Sequence, residues 1–134
     1  CIRDRNWAIV DAGMNCLIRP VLYGARHEVI LASDMKRPSL LEYNVGGPCC
    51  ESGDYIALGQ SLPELKEGDL LAVLDVGAYG FTMSSNYNAY PRPAVVLVKD
   101  DLAEIIRRRE QYVSLVQDEI VPQRLKRNSV AFAS

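Results

Sequence analysis

The sequence predicts a mainly β fold, an antiparallel barrel or sandwich carrying one or two short helices, and three observations point to it. Apolar residues come in short runs of strand length, and Gly, Pro or Asp bounds most of them. Helix-period patterns are few and brief. Polar turns recur between the runs, a spacing that suits stacked or closed antiparallel sheets.

Each element has its own signal. Asn6 to Asp11 is a short apolar run closed by Ala12-Gly13, and Pro20 to Gly24 offers one helical turn. His27 to Ala32 alternates around Val29 and Leu31, and Leu40 to Val45 is again strand-like. Asp54 to Leu58, Leu70 to Val76 and Ala94 to Val98 complete the clear strands. Lys66-Glu67-Gly68-Asp69 and Pro91-Arg92-Pro93 supply turns before two of them. Asp101 to Glu119 is ambiguous. Leu102, Ile105, Ile106, Val113 and Val116 fit a helical stripe that Asp100 could cap, yet Leu102 to Ile106 also reads as a strand after the tight turn Lys99-Asp100-Asp101. Periodicity alone does not choose between them.

At 134 residues the chain is of one-domain size. Residues 1–121 are expected to form that domain, and 122–134 a loosely held tail. A formal charge of −2 gives no general attraction to nucleic acid or to an anionic membrane. The basic cluster Arg107-Arg108-Arg109 reads as a solvated strand or helix face. No apolar run approaches the ~20 residues of a membrane span. The N-terminus lacks a signal-peptide pattern. A chain that opens without Met in a strand-like pattern is expected to be a fragment or processed piece. Cys1, Cys16, Cys49 and Cys50 have no Cys-x-x-Cys spacing, and the single His27 does not complete a zinc set with them. They read as reduced thiols of an intracellular protein, with no metal.

Three segments carry chemistry. In the first, Val10-Asp11-Ala12-Gly13-Met14-Asn15 leads into Leu17-Ile18-Arg19-Pro20-Val21-Leu22-Tyr23. Arg19 and Tyr23 share a face if the turn is helical, and a guanidinium fork beside a phenol suits a planar carboxylate. A surface Arg beside a half-buried Tyr is the plainer reading. In the second, Gly47-Pro-Cys-Cys-Glu-Ser-Gly-Asp54 sets a thiol, Cys50, beside a carboxylate, Glu51, in a glycine-bounded loop. A thiol can give up a proton or act as a nucleophile, and a carboxylate can hold an ammonium. A structural Cys and a solvated Glu is the plainer alternative. In the third, Asp75-Val76-Gly77-Ala78-Tyr79-Gly80-Phe81 puts a phenol on a tight bend at a strand end, able to meet a phosphate or a ring substituent, or else to serve as a core Tyr.

In this order, and with Tyr90-Pro91-Arg92-Pro93-Ala94 and Ile106 to Glu110, the segments resemble the C-terminal domain of the diaminopimelate decarboxylases. The resemblance runs from about Ile9 through Glu110. It implies a Greek-key-like antiparallel β-domain of the kind found in fold type III pyridoxal-phosphate decarboxylases, with a strand before Arg108 and a short helix after it. It implies decarboxylation of meso-2,6-diaminopimelate to L-lysine and CO2, the last step of lysine biosynthesis. Cys50 would protonate the substrate after CO2 leaves, and Glu51 would hold the distal ammonium. Arg19 and Tyr23 would bind a substrate carboxylate. Tyr79 would meet the cofactor and substrate. Three departures stand outside these positions: Cys49 where an aliphatic residue is usual, Cys16 where an acid is common, and Val95 for a frequent Glu.

The same resemblance implies parts that this chain lacks. Pyridoxal 5'-phosphate would be held as a Schiff base by a lysine on an N-terminal (β/α)8 barrel, and active sites would be shared across a homodimer. Lys36, Lys66, Lys99 and Lys126 lie in polar turns, at a strand end or in the tail, none in a desolvating setting. The domain alone is therefore expected to be inactive, and the whole enzyme to work in the cytoplasm or, in a plant, the plastid. Two alternatives are a decarboxylase of another amino acid and a non-catalytic β-domain. Arg19 weighs against ornithine, which has no distal carboxylate.

Overall fold

The computed structural model describes residues 5–126. In chain order the strands are β1 (Asn6–Ile9), β2 (Val29–Leu31), β3 (Leu41–Gly46), β4 (Tyr55–Leu62), β5 (Leu71–Val73), β6 (Val95–Lys99) and β7 (Leu102–Arg107). Helices α1 (Arg19–Tyr23) and α2 (Tyr112–Val116) are each a single short turn or so. The mainly β class with two short helices is as expected. The ambiguous stretch resolves as strand to Arg107, then helix. Single 3-10 turns lie at Tyr87–Ala89 and Gln123–Leu125, the second within the segment read as a tail. Residues 127–134 of that tail, and Cys1, lie outside the described residues.

The strands form three separate sheets, β1-β3-β4, β2-β5 and β6-β7, which are not closed on one another. All pairs are antiparallel except β1 with β3, where Asn6 faces Tyr43 and Ile9 faces Gly46 in parallel register. Strand direction leaves no trace in an apolar run, so the sequence could not reveal this pair.

Strand β4 also runs past its expected end at Leu58. Gly59 takes φ 63°, which a side chain tolerates poorly, and its N–H donates to Asn44 Oδ1 at 3.0 Å. The register slips between Tyr43 and Val45 at this point, a β-bulge, and pairing resumes to Leu62. The buried Asn44 is thereby satisfied inside the sheet. In contrast, β5 stops at Val73, and Asp75 at φ 56° turns the chain away.

Leu17, Val29, Val45, Ile56 and Leu62 form the core, with Val10, Tyr43, Leu71 and Val76 packed around it. Every sheet but one contributes. The β6-β7 hairpin stands apart: Val96, Leu97, Val98, Leu102, Ile105 and Ile106 are all exposed. Between it and the core runs an apolar cleft lined by Leu17, Ile56, Val73, Val76 and Phe81.

Candidate active-site face

The 47–54 loop is held from behind by one buried carboxylate. Asp54, 6% exposed, accepts the N–H of Met14 at Oδ1 and the N–H of Cys49 at Oδ2, each at 2.6 Å. Its carbonyl also accepts the Gly47 N–H at 3.0 Å. Charge-assisted bonds of this length are among the stronger ones in proteins. They join the turn after β1 to the loop after β3. The fit leaves no room: a Cβ on Gly13 or Gly47 would run into the Asp54 carboxylate. Sequence reading gives Asp54 no role, because its partners are backbone groups, which carry no sequence signature.

In front of this anchor Cys50 is exposed, whereas Cys49 and Cys16 are only partly so. Burial pushes the thiols of Cys16 and Cys49 up, and the neighbouring Asp54 adds to the effect at Cys49. Both are held as neutral thiols. Glu51 is exposed, with Oε1 accepting the Gly53 N–H at 3.1 Å and Oε2 accepting the Tyr87 hydroxyl at 3.0 Å. The Gly53 N–H, then the Tyr87 hydroxyl, hold its carboxyl below the usual glutamate range. The phenol is pushed up in turn by that same carboxylate.

Helix α1 carries the first of the segments. Pro20 lies in its first turn, and Gly24 ends it at φ 64° with its N–H on Pro20 O at 3.0 Å. The helix aligns Arg19 with Tyr23 as their spacing predicts. The Arg19 guanidinium carbon lies 5.8 Å from the Tyr23 ring centroid and 5.4 Å from that of Tyr79. A planar cation between two rings loses little freedom and keeps its fork free for an anion. Tyr79 sits at φ 65° on its turn and is 62% exposed. Arg107 of β7 braces this turn from the far side, 4.5 Å over the Phe81 ring.

The sequence-predicted residues thus form two groups. Arg19, Tyr23 and Tyr79 make one, and Cys50 with Glu51 the other. Val21 of α1 lies against Gly53 and connects them. Tyr87, given no role from the sequence, completes the second group. Its run Ser85-Asn86-Tyr87-Asn88 directly follows the Tyr79 turn. The five side chains lie at the surface, Arg19 being the least exposed of them.

For a pyridoxal phosphate group these residues fit the rim and not the anchor. The exposed phenol of Tyr79 beside the Arg19 cation suits an anionic, aromatic ligand. All four lysines are exposed, so none is a desolvated amine. Among the described residues no group of His, Cys, Asp and Glu could hold a metal ion. No described helix is long and apolar enough to cross a membrane.

Comparison with known proteins adds to this geometry. The family profile for the pyridoxal-dependent decarboxylase, C-terminal sheet domain, matches residues 2–77. Diaminopimelate decarboxylase of Archaeoglobus fulgidus is 48% identical over 119 residues, 89% of this chain and 28% of that protein. The enzyme of the same name from Methanothermobacter thermautotrophicus is 45% identical over 90% of this chain and 28% of its own length. A crystal structure of the Methanocaldococcus jannaschii diaminopimelate decarboxylase with L-lysine superimposes with a TM-score of 0.83 at 39% identity, over 90% of this chain and 27% of that one. The chain therefore spans 28% of the length of the two curated relatives.

Proposed function

Since this chain belongs to the C-terminal sheet domains of the pyridoxal-dependent decarboxylases, we propose that it is the substrate-facing part of a diaminopimelate decarboxylase. The whole protein would convert meso-2,6-diaminopimelate to L-lysine and CO2, closing lysine biosynthesis in the cytoplasm. The observation that carries the reading is Arg19, held beside the Tyr23 and Tyr79 rings with no side-chain hydrogen bond or ion pair to another described residue. A distal carboxylate is what sets diaminopimelate apart from ornithine, and an arginine fork is the side chain that reads one.

Pyridoxal phosphate, when bound by a barrel domain outside these 134 residues, supplies the electron sink that makes loss of CO2 feasible. Tyr79 would touch it with its exposed phenol. The chain's own residues do the rest. Arg19 and Tyr23 orient one carboxylate. Glu51, an anion across the working pH range, receives the distal ammonium. Cys50 holds a proton at Sγ and passes it to the substrate carbon once the bond from that carbon to the carboxylate has broken. Water then restores the thiol. The exposure of Tyr23, Cys50, Glu51 and Tyr79, and the partial exposure of Arg19, are consistent with a site completed by a barrel and, in a homodimer, by the second subunit.

The test is turnover by the full-length protein. Release of CO2 from meso-diaminopimelate, with little from ornithine, is expected. Arg19→Lys keeps the charge but loses the fork, and should raise KM for diaminopimelate at least tenfold. Equal use of ornithine, or an unchanged KM, would favour another decarboxylase of the family. No turnover of any amino acid would favour a non-catalytic domain.

A further inference from the structure

The residue that follows Cys50 is gripped by one short turn that is neither in the loop nor in α1. Tyr87 donates its hydroxyl to Glu51 Oε2 at 3.0 Å. The turn that carries Tyr87 is sharply bent: Asn88 and Ala89 take φ 56° and 60° in succession. Left-handed backbone is tolerable for Asn and costs Ala roughly 1 kcal/mol, so it persists only where surrounding contacts impose it.

Those contacts come from Glu110, just beyond β7. Its Oε2 accepts Asn86 Nδ2 at 2.7 Å and the Arg92 N–H at 2.9 Å, while its own N–H donates to Arg92 O at 3.1 Å. Asn86 Nδ2 also reaches Tyr90 O at 3.0 Å. The ends of the turn are thus tied to one carboxylate, and its tip is thrust against the loop.

Building on the proposed function, we infer that Tyr87 is a positioning residue for substrate selection, fixing Glu51 for the distal ammonium through a turn that Glu110 anchors. A free glutamate on a loop would sample several rotamers and meet the ammonium in few of them. With Gly53 N–H on one oxygen and the phenol on the other, the carboxylate plane is set before substrate arrives, and the rotamer entropy is lost in advance. The phenol oxygen keeps a lone pair that a bound ammonium can also use.

The experiment is a double-mutant cycle in the full-length, cofactor-loaded enzyme, pairing Tyr87→Phe with Glu51→Gln. Tyr87→Phe should raise KM for diaminopimelate about fivefold with kcat within about twofold of the parent, and weaken L-lysine binding, read by calorimetry, to a similar degree. In the Glu51→Gln background the same change should have almost no effect on either quantity. Unchanged KM and lysine affinity in Tyr87→Phe, while Glu51→Gln shifts both, overturns the role of Tyr87 alone. Additive effects would also overturn it, since Tyr87 would then act without Glu51. Unchanged values in Glu51→Gln itself would instead overturn the ammonium reading beneath it.

Discussion

The 47–54 loop and the β6-β7 hairpin are both short, glycine- or aspartate-turned pieces of chain, yet one is locked from within and the other is not. The loop is pinned by a buried carboxylate that accepts two backbone N–H groups, with glycines on either side allowing the close approach. The hairpin pairs only with itself, and its apolar residues are exposed on both faces. A two-stranded hairpin is marginal alone in water. The difference teaches where the structure carries its information: the reactive loop is fixed by its own domain, whereas the hairpin offers apolar surface that no other described strand pairs with.

The sharpest way to break this contrast is at the glycines. Gly47→Ala places a methyl group against the Asp54 carboxylate and the Gly13 backbone, neither of which can yield without tearing the anchor. Its expected cost is about 3 kcal/mol or more, read by denaturant unfolding of the full-length protein, with poor folding as the extreme outcome. Asp54→Asn is gentler. One oxygen remains to accept, but an NH2 now faces a backbone N–H, and the charge is gone. A loss of about 2 kcal/mol is expected. A change below about 0.5 kcal/mol would show that the loop does not depend on its buried acid.

Glu110 tests the same idea at a partly exposed site. The Arg92 N–H, then the Asn86 amide, hold its carboxyl below the ordinary range, so the folded state favours the anion. Its stabilising share is therefore complete above the unfolded glutamate value and lost as pH falls through the depressed folded value. The stability gap between the parent and Glu110→Gln should be constant at neutral pH and shrink below about pH 4.3. A gap that widens on acidification would reverse the assignment. The smallest effect belongs to the hairpin. Leu97→Ser, at a site 51% exposed, should cost under about 0.5 kcal/mol if the hairpin is as open in the whole protein as here. A loss near 2 kcal/mol would reveal that another part of the protein covers it.

Much of this was legible in the sequence, and for identifiable reasons. The strands from Val29, Leu41, Tyr55 and Val95 announce themselves through apolar runs between turn residues, and α1 through Pro20 and Gly24. Arg19 and Tyr23 are four apart, so a single helical turn brings them together. The extension of β4 was hidden because a glycine in a strand reads as an end, when here it is a bulge paired with Asn44. Tyr87 and Glu110 were hidden because their partners are 36 and 24 residues away and include side chains of no distinctive pattern. Asp54 was in view within its motif but mute, since it speaks only to backbone.

The parallel pairing of β1 with β3 also constrains how the chain reaches its native form. Asn6 must wait for Tyr43 to be synthesised before it gains a hydrogen-bonded neighbour. Strands β3 and β4, joined by a short loop, can zip together first, and their exposed margin then templates the early segment. Until that moment Trp7 and Ile9 travel unpaired, the kind of sticky stretch that a chaperone would be drawn to on the ribosome.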